Sequence, residues 1–542
     1  MRINMRIALA QNNYIVGDIK YNLQLIKNSV IQAEERNADI VVFSELALCG
    51  YPPEDLLLRP DLYLIVDKAL EEIKSIDTRV AMVIGHPRRQ GTEIYNSASF
   101  IHNGECLLCY DKQLLPNYEV FDEKRYFTAG SQCPVVEFKG VKISLLICED
   151  LWFKEPAKVA KLAGAELILS PNASPYYHGK AEVRGQEMAS RASENNIPVV
   201  YVNQIGGQDE LIFDGCSSAY NSNGECVFMA AEMAEDFACI DFDKATDRLT
   251  SLEQSYKQWD DEEEIWQALV LGVKDYVRKN GFPGALLGLS GGIDSAVTLA
   301  VAVDALGKEN VNAVMMPYRY TASMSVEDAQ AESEALGVEF DIISIEPICD
   351  AFMQQMQPQL EGTEPGVTEQ NIQARCRGTI LMGLSNKFGR LVLTTGNKSE
   401  VAVGYCTLYG DMAGGLDVLK DVPKTMVYQL ARYRNTVSPV IPERVITRPP
   451  SAELAPEQVD EDNLPPYEVL DEILEAYVEH DKSISDIVSL GHDEETVRKV
   501  IRLVDINEHK RRQAPIGIRI SSRAFGRDRR YPITSGFGRQ FK

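Results

Sequence analysis

Three short segments in the first half of the chain each set one reactive side chain at or just past the end of an apolar run. They are Phe43-Ser44-Glu45-Leu46, Asp111-Lys112-Gln113-Leu114-Leu115-Pro116 and Ile147-Cys148-Glu149-Asp150-Leu151-Trp152. A carboxylate, an ammonium and a thiol suffice for amide hydrolysis without histidine. Glu45 would deprotonate Cys148, the thiolate would attack a carbonyl, and Lys112 would help hold the oxyanion. A cysteine in an apolar strand is by itself ordinary core packing. The matching contexts of Glu45 and Lys112 are what give Cys148 a chemical reading.

In the second half, Leu287-Gly288-Leu289-Ser290-Gly291-Gly292-Ile293-Asp294-Ser295 ends a strand-like run and opens a helix-like one. Paired glycines let backbone N–H groups close around a phosphate, with Ser290 and Ser295 as hydroxyl donors at a helix N-terminus. Asp294 cannot hold an anion directly, so its natural role is Mg²⁺ coordination. No Gly-Lys-Ser/Thr is present, which excludes a Walker A loop. Stripped of its strand, its helix and its Asp-Ser, the glycine pair would read only as a capped turn.

These residues need elements to position them. In the first half, Ile7–Ala10, Ile40–Phe43, Val80–Gly85, Val141–Ile147, Leu167–Leu169 and Val199–Val202 are short apolar runs typical of buried strands. Amphipathic stretches such as Leu23–Arg36 and Lys180–Asn195 lie between several of them, and the mixture predicts layered α/β. Asp243 to Glu264 is polar and ends in Asp260-Asp261-Glu262-Glu263-Glu264, which predicts a linker followed by an acidic helix N-terminus. From Ile265 the pattern alternates: Ala285–Leu289 strand, Ala296–Ala305 helix, Val311–Met316 strand, Ser325–Leu336 helix. Such alternation implies right-handed βαβ units and a parallel sheet that binds ligands at the carboxyl ends of its strands. Beyond Pro465 the chain is mostly helical, and it closes in a Gly/Arg-rich tail from Arg511 to Lys542. The expected domains are 1–245 and 265–542, joined by a linker at 246–264.

At 542 residues, 45% apolar and 25% charged, the chain has the composition of a multidomain globular protein. Lys plus Arg number 55 against 80 Asp plus Glu, a formal charge of −25. Such a body disfavours general binding to nucleic acid or anionic membranes, so any phosphate site must be local. The odd count of eleven cysteines favours reduced thiols over a disulfide framework. Cys106 and Cys109 form the only CxxC and have no second pair at zinc-ribbon spacing. No apolar run reaches the ~18 residues of a membrane span, and Met1 to Asn22 lacks a signal-peptide core. A cytoplasmic location is expected.

The nonapeptide resembles the signature of the N-type ATP pyrophosphatases, whose SGGxDS loop holds pyrophosphate while ATP adenylylates a substrate oxygen. Downstream, Thr368-Glu369-Gln370-Asn371-Ile372-Gln373-Ala374-Arg375-Cys376-Arg377 and Leu393-Thr394-Thr395-Gly396-Asn397-Lys398-Ser399-Glu400 look like stretches of the NAD synthetases within that family. Tyr409-Gly410-Asp411-Met412-Ala413 and Lys510-Arg511-Arg512 extend the match. The resemblance implies a Rossmann-like parallel-sheet domain that binds ATP through Gly288, Leu289, Ser290, Gly291, Gly292, Ile293, Asp294, Ser295, Thr395, Lys424 and Ser451. It also implies deamido-NAD on Asn371, Arg375, Glu400 and Lys510, and Mg²⁺ shared by Asp294 and Glu400.

The first half, from about Met5 to Phe242, resembles the nitrilase superfamily, in which a Glu-Lys-Cys triad rides an α-β-β-α sandwich. Glu45, Lys112 and Cys148 match that triad one by one. The string from Leu114 to Glu123 looks more specifically like the glutaminase domain of glutamine-dependent NAD synthetases, which implies glutamine contacts at Tyr118, Ser174 and Lys180. Glu149 either assists the triad or holds its loop.

Together the resemblances imply a ligase in which glutamine supplies ammonia through a Cys148 thioester and ATP adenylylates deamido-NAD, giving NAD, AMP, pyrophosphate and glutamate. An enclosed ammonia passage and a homo-oligomer of at least a dimer are family expectations of the same kind. Beside a non-catalytic assembly protein with relic sites, which the intact residue types of both constellations oppose, two other readings stand. One is a different glutamine-dependent adenylylating ligase of the same family. The other, motivated by the arginines between Lys510 and Arg539 and opposed by the net charge, is an RNA-modifying or RNA-binding protein.

Overall fold

The computed structural model describes residues 4–251, 253, 259–451, 453–455 and 464–537. The chain divides into two compact units, Met1–Gln258 and Trp259–Lys542. All eleven cysteines are free thiols, and no described helix is long and apolar enough to cross a membrane.

The first unit begins β1 (Asn4–Gln11), α1 (Ile19–Glu35), β2 (Ile40–Val42), α2 (Pro60–Lys74), β3 (Ala81–Gln90), β4 (Glu93–His102) and β5 (Glu105–Asp111). It continues with β6 (Val135–Phe138), β7 (Val141–Leu145), α3 (Lys154–Leu162), β8 (Leu167–Asn172), α4 (Lys180–Asn195) and β9 (Val199–Asn203). Short strands complete it: β10 (Ile205–Gln208), β11 (Leu211–Asp214), β12 (Ser218–Tyr220), β13 (Cys226–Met229), β14 (Asp236–Asp243) and β15 (Arg248–Thr250). One sheet has the order β15-β14-β1-β2-β3-β4-β5 and a second the order β13-β12-β9-β8-β7-β6.

Strand alternation sorts the side chains into layers. Ile7, Leu9, Ile40 and Val42 enter a core shared with Ile143, Leu145, Leu167 and Leu169 of the second sheet. Ala8, Ala10 and Val41, the alternate residues, pack instead against Ile26 and Val30 of α1 and Val66 and Ile73 of α2. On the far face of the second sheet, Ala157 and Ala160 of α3 and Met188 and Ala192 of α4 close the stack. The result is the α-β-β-α sandwich that the resemblance implied.

The polar stretch read as linker differs in part. β15 lies inside it and pairs antiparallel with β14, Phe242 opposite Leu249, because Leu249 alternates with polar neighbours and is fully buried. Residues 252 and 254–258 lie outside the described residues. The acidic run opens α5 (Asp261–Lys279), with four carboxylates in the first turn and Arg278 and Lys279 in the last, as the helix dipole favours.

The second unit carries β16 (Ala285–Gly288), α6 (Ile293–Leu306), β17 (Val311–Met315), α7 (Ser323–Leu336), β18 (Glu339–Ile342), α8 (Glu346–Leu360) and α9 (Val367–Phe388). Then follow β19 (Leu391–Thr394), α10 (Lys398–Val403), β20 (Leu416–Asp417), α11 (Lys424–Val437), four further helices between Tyr467 and Arg511, and β21 (Ile516–Gly517). The sheet order is β18-β17-β16-β19-β20-β21, and every pairing in it is parallel. The strand order reverses at β16, between β17 and β19, which is where such sheets open a crevice for ligands.

Part of the arginine-rich tail is interior to this unit. Arg511 and Arg529 share the Glu508 carboxylate, and Arg519 pairs with Asp528, all of them buried. These three cations neutralise internal carboxylates. Residues 538–542 lie outside the described residues.

Candidate functional site

In the first unit, Glu45, Lys112 and Cys148 arrive at one place from β2, β5 and the turn after β7. Lys112 follows β5 directly, and its ammonium donates to Glu45 Oε1 at 2.6 Å and to Glu123 Oε1 at 2.8 Å. Glu45 Oε1 also accepts from Asn96 Nδ2 at 2.7 Å, and its Oε2 accepts from the Ala173 N–H at 3.1 Å. That N–H also faces the Cys148 thiol. The Glu45 loop lies against β3 at Gly85, where any Cβ would overlap Ser44 O and Leu46 N. Cys148 opens a tight helical turn with φ +44°, a left-handed conformation that is strained for a side chain and is found where a nucleophile must be presented.

The electrostatics suit a general-base mechanism. Burial and the nearby Glu45 carboxylate push the Cys148 thiol well above its usual range, with Lys112 opposing, so the resting group is a neutral thiol that needs a base. Burial works against the Lys112 charge, but Glu123 and Glu45 outweigh it and keep the ammonium protonated. Burial raises Glu123 to about 7, against the pull of Lys112.

Of the three residues expected to contact glutamine, Tyr118 and Lys180 both act on Glu149, the residue after Cys148. Tyr118, half exposed, donates its hydroxyl to Glu149 Oε1 at 2.9 Å. The Lys180 ammonium lies 4.0 Å from the centre of the Trp152 ring and acts on Glu149, whose carboxyl is raised mainly by burial. Ser174 is buried, its N–H on Asn203 Oδ1 at 2.9 Å. Glu149 therefore holds the Tyr118 hydroxyl. Glu123 and Asn96 were not singled out from sequence: neither directly follows an apolar strand run, and Glu123 shows only as the last residue of the string that begins at Leu114.

In the second unit, the nonapeptide leaves β16 and enters α6 as expected. Ser290 Oγ and Ser295 Oγ lie 3.0 Å apart, Ser290 Oγ accepts from the Gly292 N–H at 3.2 Å, and Ser295 Oγ donates to Gly292 O at 2.9 Å. Gly291 sits at φ +79°, where an added Cβ would overlap Ser325 O, so both conformation and space require glycine. Beside this braced loop opens a cleft of about 170 Å³, lined by Gly288, Leu289 and Ser290, Val314 to Met316, and Leu393 to Thr395. Those residues are the carboxyl ends of β16, β17 and β19. Arg377, Asp411 and Glu453 also line it. They carry no sequence signal beyond the strings already quoted, and Glu453 carries none.

Asp294 and Glu400 converge on one cation. Lys424 Nζ donates to Asp294 Oδ2 at 2.5 Å and to Glu400 Oε1 at 3.1 Å, while Asn397 Nδ2 donates to Asp294 Oδ1 at 2.9 Å. Burial lowers the Lys424 charge, but the two carboxylates overcome it and hold the ammonium above its usual range. Two hard carboxylates meeting at a single point beside a phosphate-type loop form a donor set that fits Mg²⁺.

Asn371, Arg375 and Lys510 come together elsewhere, around the loop that follows α10. Asn371 Oδ1 accepts from Thr407 Oγ1, Arg375 Nε donates to Leu408 O, and Lys510 Nζ donates to Gly404 O and Cys406 O. Ser451 is exposed, its Oγ accepting from the Glu453 N–H at 3.2 Å.

Comparison with known proteins covers both units. Residues 6–250 match the carbon-nitrogen hydrolase family and residues 265–514 the NAD synthase family. The glutamine-dependent NAD(+) synthetase of Acinetobacter baylyi is 52% identical over 98% of this chain and 99% of its own length. That of Xanthomonas campestris is 49% identical over 99% and 98%. The solved structure of the glutamine-dependent NAD+ synthetase from Acinetobacter baumannii, in complex with ADP, superposes with TM-score 0.81 at 49% identity, covering 99% of both chains. With both family models matched in order along the chain and about half of all residues shared end to end, the chain belongs to the glutamine-dependent NAD(+) synthetases.

Proposed function

We propose that the two clusters carry the two halves of one amidation, with glutamine hydrolysed at Cys148 and deamido-NAD activated by ATP at the Ser290–Ser295 loop. The observation that carries this reading is the pairing of an intact Glu45–Lys112–Cys148 cluster with the Asp294–Glu400 pair on one chain. In the first half-reaction Glu45 takes the thiol proton and Cys148 Sγ bonds to the glutamine amide carbon. Lys112 and the Ala173 N–H stand by the developing oxyanion. Collapse expels ammonia, and water then releases glutamate from the thioester. Tyr118, Ser174, Lys180 and Glu149 orient the substrate, the Lys180 ammonium toward its carboxylate and the Glu149 carboxylate toward its ammonium.

In the second half-reaction the nicotinate carboxylate of deamido-NAD attacks the α-phosphorus of ATP and pyrophosphate leaves. The N–H groups of Gly291 and Gly292, the Ser290 and Ser295 hydroxyls and the Lys424 ammonium receive its negative charge. A bound Mg²⁺, held by Asp294 and Glu400, would supply charge neutralisation on the phosphates. Thr395 and the apolar ends of β16, β17 and β19 would seat the nucleoside, in keeping with the ADP in the A. baumannii relative. Ammonia then displaces AMP to give NAD. Asn371, Arg375 and Lys510 would act on the dinucleotide from the loop they brace, and Ser451 on ATP. By the family pattern the protein works in the cytoplasm as a homo-oligomer, which light scattering on the purified protein reads directly.

The test is the stoichiometry of products. With deamido-NAD, glutamine and ATP–Mg²⁺, NAD should form in step with AMP and pyrophosphate. ADP and phosphate in step with product would contradict the second half of this reading.

A further inference from the structure

Asp150 is fully buried two residues after the nucleophile, and its carboxylate accepts four hydrogen bonds. Oδ1 takes the backbone N–H of Gln113 at 3.2 Å and of Leu114 at 2.9 Å. Oδ2 takes the backbone N–H of Ile147 at 3.0 Å and the Tyr110 hydroxyl at 2.7 Å. Gln113 and Leu114 are the two residues after Lys112, Tyr110 stands two before it, and Ile147 directly precedes Cys148. One side chain therefore ties the segment bearing the ammonium to the turn bearing the thiol.

We propose that Asp150 is a positioning residue for the glutamine half-reaction, fixing Lys112 and Cys148 relative to each other so that oxyanion donor and nucleophile meet the same carbonyl. This rests on the reading of Glu45, Lys112 and Cys148 as the hydrolytic triad. The chemistry of the partners demands a carboxylate: the three backbone N–H groups can only donate, and they are spread over both oxygens, so both must accept. Burial raises the Asp150 carboxyl to about 6, with the bonds from Tyr110, Ile147 and Leu114 opposing, so the group is ionised at neutral pH. Asparagine would turn an NH₂ group toward one pair of donors and release one of the two segments. Tyr110→Phe would keep three of the four bonds and every backbone contact.

The experiment uses the full-length protein in four forms: wild type, Asp150→Asn, Tyr110→Phe and Cys148→Ala. Three quantities are read: kcat and KM for glutamate release from glutamine, NAD formation from ammonia, and the pH dependence of Cys148 alkylation by iodoacetamide, followed at the Cys148 peptide. In Asp150→Asn, kcat for glutamine should fall roughly 100-fold, as when one oxyanion donor is lost, with KM within about threefold. Ammonia-dependent synthesis should stay at the wild-type rate. The alkylation profile should move to higher pH, because the ammonium no longer sits squarely by the thiol. Tyr110→Phe should lose about two- to tenfold in kcat, in line with one hydrogen bond, and its alkylation profile should move the same way by less. A wild-type kcat in Asp150→Asn, or a lowered kcat with an unmoved alkylation profile, overturns the proposal. Should Asp150→Asn lose both activities by failing to fold, Tyr110→Phe decides, and a wild-type kcat and profile there overturn it. Glutamine turnover in Cys148→Ala would overturn the triad itself and the proposal with it. A dead Cys148→Ala beside a normal Asp150→Asn overturns the proposal alone.

Discussion

Lys424 and Asp294 form an ion pair of 2.5 Å, with the lysine side chain 1% exposed and the aspartate 17%. The same ammonium reaches Glu400, so a single cation balances the two carboxylates that would receive Mg²⁺. Lys424→Met would leave two like charges facing each other in a partly dry site. Removing one member of a buried pair costs about 3–5 kcal/mol, and the residual exposure of both acids reduces this to ~2–3 kcal/mol. Urea unfolding should show that loss, and millimolar Mn²⁺ should restore part of it in the variant without nucleotide. An unchanged midpoint in Lys424→Met would contradict the counter-charge role.

Asp294→Asn keeps the size of the side chain and removes one hard ligand. AMP formation should fall about 100-fold or more, since stabilisation of the departing pyrophosphate is worth several kcal/mol and each ~1.4 kcal/mol is tenfold. The loss should be equal with glutamine and with ammonia, because both nitrogen sources need the same adenylate. Near-normal synthesis from ammonia would show that Asp294 holds no metal.

The pH dependence of the glutamine reaction should carry the mark of Glu123. Its carboxyl is raised to about 7, chiefly by burial. Below that pH it is protonated and Lys112 loses one of its two anions; above it the full charge pattern is present. Glutamine-dependent kcat should therefore rise with pH through about 7 in the wild type. Glu123→Gln, neutral throughout, should show a lower plateau without that limb. An identical profile in the variant would remove Glu123 from the site.

Gly85→Ala would place a methyl group where the Glu45 loop passes, overlapping Ser44 O and Leu46 N. Backbone atoms cannot yield as a side-chain end can, so overpacking should cost about 1–3 kcal/mol and shift Glu45. Glutamine-dependent turnover should drop while ammonia-dependent synthesis survives. Equal rates for variant and wild type with glutamine would mean that the loop has slack.

Much of this architecture was legible in the sequence because burial writes a period into the strands. Ile40-Val41-Val42 has to bury both faces, and so it reads as a central strand. The paired glycines before Asp294 read as a phosphate-type turn because only glycine adopts φ +79° against Ser325 O. What could not be read lies in contacts between distant segments. Glu123 and Asn96 bond to Lys112 and Glu45, and no local pattern marks a residue by a side-chain partner elsewhere in the chain. β15 was missed because three residues with one apolar member give no periodicity, although Leu249 is fully buried. The arginines after Lys510 suggested an external anion, yet Arg511, Arg519 and Arg529 satisfy Glu508 and Asp528 within the unit. Composition counts charges without their partners.

On the proposed reading one chain holds two separable sites, a thiol that releases ammonia and a loop that activates the acceptor. That reading is tested most directly by NAD formation in Cys148→Ala with each nitrogen source. Alanine is smaller and uncharged, so the fold should survive at a cost of ~1–2 kcal/mol. Glutamine-driven synthesis should vanish, while ammonia, supplied in excess at raised pH, should give NAD at the wild-type rate. Glu45→Gln and Lys112→Ala should follow the same pattern. Glutamine-driven synthesis at the wild-type rate in Cys148→Ala, or the loss of both activities in a variant that remains folded, would contradict it.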